Sequence, residues 1–216
     1  MMITLLKGTL VTLALTISAL GLGLILAFFI TYGLNSPNII LKKLLYAFIN
    51  FIRGVPLLVQ FFLTYYGLAE FEWVRESSLW IVLESPSICA TLILAMNSSA
   101  YSAILMQMIV QNIPKGEIEA CQILHLSHFI MMREVILKRM LTSFWTIYPN
   151  EIAAILKCTA LASTITLMEL TGAARQVMAK SYQISETLLI TAALYLLVAL
   201  ILINGFKILH CYFSKI

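Results

Sequence analysis

The residues that could do chemistry in this sequence are polar and ionisable side chains placed within otherwise apolar stretches. They are Asn97, Ser98, Tyr101, Glu151, Lys157 and Thr159. A carboxylate surrounded by apolar residues needs a cation nearby, and for Glu151 that cation could be Lys157 or a basic group of a bound solute. Hydroxyl and amide groups add hydrogen-bond donors and acceptors. The combination indicates that these six residues bind a small polar solute.

The same residues also have structural explanations. Glu151 could form an internal ion pair with Lys157 or Arg175, and the cluster at Asn97–Ser102 could form hydrogen bonds between helices. Glu151 is the most informative of them, because an unpaired carboxylate is costly away from water. The sequence alone leaves both explanations open.

Other reactive residue types form no recognisable catalytic or metal-binding set. His125 and His128 lie three positions apart, but no third ligand lies near them in the sequence. The four cysteines lack zinc or redox spacing, and no Ser-His-Asp arrangement is recognisable. We therefore expect neither an enzyme nor a metal site.

The composition places these residues in a membrane protein. Of the 216 residues, 61% are hydrophobic and 11% are charged, whereas soluble domains contain about 25% charged residues. Too few polar residues remain to cover a surface that faces water, so contact with membrane lipid is expected. The net charge is only +4 and no basic run occurs, which argues against nucleic acid as a partner. We predict one domain over 1–216.

Apolar segments of about 20 residues, the length that crosses a bilayer, must position the polar residues. They are predicted at about 9–31, 49–68, 87–110, 141–156 and 187–207. Pro149 interrupts the fourth, which should continue as a broken, partly buried segment to about 178, because irregular backbone at membrane depth needs protein or a water cavity around it. Arg53, near the start of the second segment, is expected to reach the membrane interface. The predicted fold class is an all-α membrane protein with about five transmembrane helices.

Lysine and arginine in the loops predict the orientation of the chain. Basic residues concentrate in the 32–50 loop, the 112–140 loop and the C-terminal tail, whereas the 69–85 loop holds four glutamates and one arginine. Because cytoplasmic loops are enriched in Lys and Arg, the first three should lie in the cytoplasm. Five spans then place the N-terminus outside and the C-terminus in the cytoplasm. The 157–185 segment is also basic and fits this orientation less well.

A short polar segment, NIPKGEIEACQILHL at 112–126, separates two apolar segments. Pro114 suits the first turn of a helix, and the acidic residues after it complement the helix dipole. Ile118, Cys121 and Leu124 are spaced by three and would form one apolar stripe. Because so short a helix is unstable alone in water, it should dock either on lipid headgroups or in a groove of a cytoplasmic partner.

The segment resembles the EAA loop of ABC importer permeases. Glu119-Ala120-Cys121 stands for Glu-Ala-Ala, His125 for the Gly of the signature, and Val135–Lys138 for Ile-x-Leu-Pro. Stretches similar to the polar amino acid subfamily follow one another in the same order: RGVPLLVQFFLTYYGL (53–68), NSSAYSA (97–103), IPKGEIEA (113–120) and NEIAAILKCTALASTITLMELT (150–171). Within the histidine, arginine and glutamine group, the chain is most similar to arginine importer permeases. The resemblance implies the type I, MetI-like permease fold.

The resemblance also implies that the loop at about 112–134 carries a coupling helix, which sits in a cleft of a cytoplasmic ABC ATPase dimer. The implied coupling residues are Pro114, Lys115, Gly116, Glu119, Ala120, Cys121 and His125. Glu119 would be the polar contact, and closure of the ATPase would move the helix and switch access across the membrane. The chain has no G-x-x-x-x-G-K-[ST] loop, so no cofactor is expected in it, and the ATPase would bind the ATP.

The expected assembly contains a second permease subunit, identical or different, and a periplasmic amino-acid-binding protein, in a bacterial cytoplasmic (inner) membrane. Cys121, His125 and Lys138 depart from the EAA signature, and we expect coupling to be retained. His125 would be costlier than Gly if the turn needs a positive φ. Cys158 stands where the family has an Asp beside the central cavity, so a sister permease would contribute more to recognition.

The predicted function is ATP-driven import of polar, basic amino acids such as arginine. An ATP-independent channel or secondary transporter is the alternative, and the buried Glu151 and Lys157 would suit it. Five spans without an evident repeat do not favour that alternative. The two functions differ in one requirement, because only the importer needs the 112–126 segment to bind an ATPase.

Overall fold

The computed structural model describes residues 1–78 and 80–213, without the side chains of Val82, Lys115, His128 and 209–213. The described chain is built from helices: α1 Met2–Leu34, α2 Ile39–Gly54, α3 Leu57–Phe62, α4 Glu72–Arg75, α5 Trp80–Leu83, α6 Pro86–Gln111, α7 Lys115–Ile123, α8 His128–Ile130, α9 Lys138–Cys158, α10 Leu170–Ser181 and α11 Ile184–Phe213. Leu63–Gly67 and Met131–Leu137 form π-helical turns, and Leu68–Glu70 and Thr159–Ile165 form 3₁₀ turns. This confirms the predicted all-α fold class.

Among the described residues, three helices are long and apolar enough to cross a membrane, and up to five if each bent pair is one span. The three are α1, α6 and α11, which contain the predicted segments 9–31, 87–110 and 187–207. The bent pairs are 39–54 with 57–70, which turn by 103°, and 131–165 with 170–181, which turn by 53°. The second predicted segment therefore contains a sharp bend at Val55 and Pro56, because Pro removes a backbone donor and restricts the residue before it.

The first helix is the central element of the fold, since it packs against α2, α6, α9, α10 and α11. Small residues allow these close approaches. A Cβ added at Gly23 would lie 2.8 Å from the Cβ of Ser98 on α6, and one added at Gly8 would lie 2.8 Å from the Cβ of Ala173 on α10. Helix α1 thus packs closely against both α6 and α10, and its contact at Gly23 holds Ser98 in position.

Polar caps fix where the first two helices end and begin. Asn35, just beyond α1, donates through Nδ2 to the Gln107 side chain of α6 at 2.8 Å. The Oδ1 atom of Asn38 accepts from the backbone N–H of Ile40 at 3.0 Å and of Leu41 at 3.2 Å. These bonds satisfy N–H groups that the first turn of a helix leaves free, so α2 starts at a defined point.

The broken segment after α9 turns tightly and then starts a new helix. Thr159, Ser163 and Thr164 each donate a hydroxyl hydrogen bond to the carbonyl three residues earlier, at 2.6 to 2.8 Å. Thr166 has φ 68°, a left-handed conformation that ends the turn. Tyr66 donates through its hydroxyl to the carbonyl of Thr164 at 3.1 Å, which ties the turn to the segment after α3.

Glu169 caps α10 from a fully buried position. Its carboxylate accepts from the N–H of Thr171 at 2.9 Å, from the N–H of Gly172 at 2.8 Å and from the hydroxyl of Tyr195 on α11 at 2.8 Å. Thr12 of α1 donates to the same carboxylate at 3.4 Å and accepts from the N–H of Leu170 at 3.0 Å. The helix that begins inside the molecule therefore has its free N–H groups satisfied, as irregular backbone at membrane depth requires.

Candidate functional site

The α6–α9 interface brings together two of the predicted binding residues, Ser98 and Glu151. Glu151 is 8% exposed and Ser98 is fully buried beside it. The Oγ atoms of Ser98 and Ser102 have no hydrogen-bond partner among the described residues. Buried hydroxyls without partners are rare in folded proteins, so this interface has unused capacity to form hydrogen bonds.

The structure does not contain the internal ion pair that the sequence leaves open for Glu151. Within the described residues, no Lys, Arg or His nitrogen lies within 4 Å of its carboxylate. Lys157 and Arg175 are both exposed. Glu151 is therefore a buried carboxylate without a cation partner in the part of the chain that the structure describes, and a basic solute could supply the positive charge.

The remaining predicted binding residues occupy different settings. Asn97 is half-buried on α6, and Tyr101 lies one turn further along with 39% of its surface exposed. Thr159 is fully buried, and its hydroxyl donates to the carbonyl of Leu156 at 2.6 Å. The structure therefore brings Ser98 beside Glu151, with Asn97 and Tyr101 on the same helix as Ser98, while Lys157 is exposed.

Arg53 lies against the ring of Tyr101 on α6. Its guanidinium carbon lies 4.9 Å from the centroid of the Tyr101 ring, over its face. Tyr101 is near the middle of α6, and Arg53 is near the end of α2. The bend after α2 holds Arg53 against α6, so packing decides its position. The sequence does contain one signal for such a contact, because Arg53 is a charged residue beside Gly54 and Pro56 within an apolar stretch.

A cavity of about 490 Å³ continues from this site along the same helix faces. On α6, Leu105, Met108 and Asn112 follow Tyr101 at spacings of three or four. On α9, Ile147, Ser143 and Arg139 precede Glu151 at spacings of four. These six side chains line the cavity together with Ile109, Ile113 and Pro114. Leu105 and Ile147 lie four residues from Tyr101 and Glu151, so the cavity begins about one helical turn from these two residues and ends at the start of α7.

Helix α7 presents the residues that the EAA resemblance selects. Gly116, Glu119 and Ala120 are exposed, whereas Cys121 is buried. Pro114 directly precedes the helix, and the side chain of Lys115 lies outside the described residues. Glu119 and Ala120 are therefore accessible to a partner, while Cys121 packs inward.

The predicted apolar stripe on α7 is only partly buried. Cys121 is buried and Ile118 half-buried, but Leu124 is 69% exposed and its neighbour Ile123 is 77% exposed. Phe129, just after the turn, is also exposed. The prediction of one stripe fails because the helix ends at Ile123, so Leu124 already belongs to the turn. The exposed apolar side chains form a patch around the end of α7.

His125 occupies the left-handed turn that ends α7, with φ 51°. The N–H of His125 donates to the carbonyl of Gln122, and the N–H of Leu126 donates to the carbonyl of Cys121, both at 3.0 Å. This pair of bonds is the Schellman motif, in which Gly is the usual residue at the left-handed position. A left-handed position in this turn would explain why the EAA signature has Gly there, and in this chain His125 adopts the left-handed conformation.

Ion pairs connect the coupling loop with the start of α9. Arg139 pairs with Glu117 in the first turn of α7. Glu134 pairs with Lys138 at 2.6 Å and with Arg133 at 2.7 Å, and the hydrogen bonds from Lys138 and Arg133 hold the pKa of Glu134 below its ordinary value. Lys138, the third departure from the signature, is the first residue of α9 and has its charge balanced by Glu134. Within the described residues, no group of three His, Cys, Asp or Glu side chains is placed to hold a metal ion.

Sequence reasoning missed Thr12, Glu169 and Arg139. Glu169 directly precedes a helix, and acidic residues are enriched there, so a cap could have been predicted from the sequence. Its contacts with Thr12 and Tyr195 span 157 and 26 positions, so neither leaves a local pattern in the sequence. The link between Arg139 and Glu117 has the same character, because 22 positions separate the two residues.

Comparison with known proteins gives consistent similarities along nearly the whole chain. The family described as "Binding-protein-dependent transport system inner membrane component" matches residues 8–210. The arginine ABC transporter permease protein ArtM of Haemophilus influenzae is 40% identical over 195 residues, which cover 89% of this chain and 84% of that protein. The histidine/lysine/arginine/ornithine transport system permease protein HisM of Salmonella typhimurium is 34% identical over 201 residues, covering 93% and 86%. A solved amino acid ABC transporter with histidines superposes with a TM-score of 0.83 at 29% identity, covering 98% of this chain and 93% of that one.

Proposed function

The chain belongs to the family of binding-protein-dependent transport system inner membrane components, with the MetI-like permease fold, and on this basis we propose what it carries and how. It is a transmembrane permease subunit of an ABC importer for amino acids. We propose that its substrates are basic amino acids, with arginine as the first candidate. The two relatives described above, whose names include arginine, support this choice.

The observation that carries the proposal is the buried carboxylate of Glu151. An ionised group within a membrane is costly and usually functional, and Glu151 has no cation partner among the described residues. The positive group of a basic amino acid would supply that partner. Ser98 would add a hydrogen bond, and the cavity below Tyr101 would continue the path toward the cytoplasm.

Uptake by the reconstituted importer tests this role. Proteoliposomes would contain the permease, its ATPase and its binding protein, with ATP on the cytoplasmic side and labelled arginine outside. Glu151→Gln should reduce the apparent affinity for arginine by about ten- to hundredfold, since a hydrogen bond to a charged group contributes about 1.5–3 kcal/mol. Glu84→Gln, which removes an exposed carboxylate in an outer loop, is the matched control. Equal uptake by the two variants would reject the role of Glu151.

We further propose that α7 is the coupling helix and docks in a cleft of a cytoplasmic ABC ATPase dimer, which binds the ATP. Exposed Glu119 would provide the polar contact, and the apolar patch of Ile123, Leu124 and Phe129 would be covered by the ATPase. A second permease subunit and a periplasmic amino-acid-binding protein complete the proposed assembly. The N-terminus would lie outside and the C-terminus in the cytoplasm.

Co-purification in mild detergent tests the coupling role. The tagged permease should recover the ATPase, and Glu119→Lys should release it because the variant places a cation where the proposed contact needs an anion. Glu186→Lys, at the opposite end of the molecule, is the control and should retain the ATPase. If neither wild type nor control recovers an ATPase while arginine still enters proteoliposomes, transport is independent of ATP and the coupling role is rejected.

A further inference from the structure

Arg53 is a charged side chain in a part of the molecule where charge is expensive. It stacks on Tyr101, near the middle of the membrane-spanning helix α6. The side chain is exposed on the surface of this single chain. Within the described residues, its guanidinium has no carboxylate within 4 Å. A cation at this depth faces a cavity or a partner subunit, because a lipid-facing arginine at the bilayer centre costs at least about 2.5 kcal/mol.

Stacking determines which part of the guanidinium remains available. The guanidinium carbon lies over the face of the Tyr101 ring, and such a cation–π contact requires no N–H donor to bond an oxygen atom. The N–H donors lie in the plane of the guanidinium, along its edge, and form a rigid fork that matches a carboxylate. The Tyr101 ring therefore orients Arg53 without consuming its donors. This geometry is suited to binding an anion in two parallel hydrogen bonds.

Every α-amino acid carries such an anion, its α-carboxylate, and Glu151 cannot bind it. We propose that Arg53, oriented by Tyr101, binds the α-carboxylate of the imported amino acid. This inference rests on the proposed function, since it divides the substrate between two residues: Glu151 binds the cationic group and Arg53 the carboxylate. Tyr101 lies three residues after Ser98 on α6, about one helical turn from the residue beside Glu151.

With Arg53 in this role, the site would distinguish amino acids from amines that lack a carboxylate. A site with Glu151 alone would accept any cation of suitable size, including amines that lack a carboxylate. A cation such as Arg53 discriminates against those amines, because without a carboxylate its guanidinium is left unpaired on binding. Arg53 is thus a specificity-determining residue for amino acids as a class, while the choice among amino acids depends on other contacts.

Competition between arginine and agmatine, its decarboxylated analogue, tests the assignment. Labelled arginine would be bound at equilibrium to the purified permease–ATPase complex without the binding protein, and each unlabelled compound would be titrated against it. Wild type should bind arginine about ten- to hundredfold more tightly than agmatine. Arg53→Gln should weaken the binding of arginine by that factor and leave the binding of agmatine nearly unchanged. The ratio of the two affinities should then be close to one.

Two further variants distinguish recognition from a general structural defect. Arg53→Lys keeps the charge but not the fork, and it should restore part of the preference for arginine. Tyr101→Leu removes the ring beside the guanidinium and should lower the preference more than Tyr101→Phe, which keeps the ring. ATPase co-purification and thermal unfolding report on folding for every variant.

The possible results separate this inference from the proposed function. An unchanged arginine-to-agmatine ratio in Arg53→Gln, or tighter arginine binding, overturns the role of Arg53 while the importer function stands. Tighter binding would mean that Arg53 competes with the substrate cation for Tyr101. If the wild-type complex binds neither compound but does bind another amino acid, the choice of arginine fails first, and the same comparison with that amino acid and its amine decides the role of Arg53.

Discussion

His125 shows how a single side chain can depart from a signature and still keep its conformation. The residue sits at φ 51° in the turn that ends α7, and both backbone hydrogen bonds of the Schellman motif are present. Left-handed backbone costs a non-glycine residue roughly 1–2 kcal/mol. The chain therefore keeps the shape of the turn at a cost in local stability.

Replacing His125 by Gly should make the turn more stable. The steric cost is removed, and the greater freedom of Gly in the unfolded chain offsets part of it, about 0.5–1 kcal/mol, so the net gain is up to about 1 kcal/mol. Slower hydrogen exchange of the amides in 121–127 would report the gain. Gln122→Gly, inside α7, is the control and should accelerate exchange by its lower helix propensity. Faster hydrogen exchange in His125→Gly would show that His125 does not strain the turn.

The binding residues divide sharply in how far the sequence could predict them. Glu151 and Ser98 were predictable because each stands out as polar in an apolar run, and the structure places them together. Arg53 was equally visible, but its contact with Tyr101 could not be predicted, because that contact depends on the 103° bend after α2. The direction of such a bend depends on packing with α6, which the local sequence does not encode.

Among the elements, α10 depends most on a contact from outside itself. Glu169 satisfies the N–H groups of Thr171 and Gly172 and is also held by Tyr195 and Thr12. The carboxylate therefore joins α1, α10 and α11 at the break that follows the 3₁₀ turn. The sequence predicted a broken segment here, since it is rich in small and hydroxyl residues, but not the group that fixes its geometry.

Glu169→Ala should destabilise the molecule. It leaves two buried backbone N–H groups without acceptors, and each unsatisfied buried group costs about 1–3 kcal/mol. We expect a lower midpoint of thermal unfolding in detergent. Glu169→Gln should lower the unfolding midpoint less than Glu169→Ala does, because the Gln side chain keeps one oxygen acceptor.

The comparison for this prediction is Glu76→Ala, which removes an exposed carboxylate from the outer loop. Its unfolding midpoint should match that of wild type. A Glu169→Ala midpoint equal to that of Glu76→Ala would show that Glu169 does not hold the break.

The coupling loop and α9 are joined through Glu117 and Arg139. The pair is partly exposed, at 32% and 52% of the two side chains, so its contribution to stability is about 1 kcal/mol or less. Its position matters more, because α9 carries Glu151 at the binding site. Movement of α7 would therefore reach α9 at its first turn.

Reversing either charge alone should uncouple the importer. Glu117→Arg or Arg139→Glu should raise the ATP hydrolysed per arginine imported, and the double variant with exchanged charges should restore part of the coupling. Arg133→Glu, which changes a neighbouring charge without touching α7, serves as the comparison. A double variant no better than the two single ones would mean that the pair does not transmit the movement.

Considered as one body, the molecule exposes apolar side chains along all its long helices. Among many others, Phe29 on α1, Leu92 on α6 and Leu197 on α11 face outward. Such a surface is stable only in lipid or against another apolar subunit. The composition alone predicted this much, but it does not show which faces contact lipid and which contact a second permease.

Cysteine labelling in intact cells would test the proposed orientation of the whole chain. In a background without its four cysteines, Glu76→Cys should react with a membrane-impermeant maleimide added from outside. Gln122→Cys should react only after the membrane is permeabilised. Both positions are exposed, so accessibility within the protein does not limit either reaction. Reversed labelling would place the coupling helix on the wrong side for an ATPase.

The hydrogen bond between Thr12 and Glu169 has a consequence for synthesis. The two residues are 157 positions apart, so at about 5–20 residues per second the ribosome needs roughly eight to thirty seconds to make the second after the first. During that interval α1 is complete but lacks α10, against which Gly8 packs. A ribosome that stalls before Glu169 leaves a fragment whose first helix cannot complete its contacts. Such a fragment would be a natural substrate for membrane quality control.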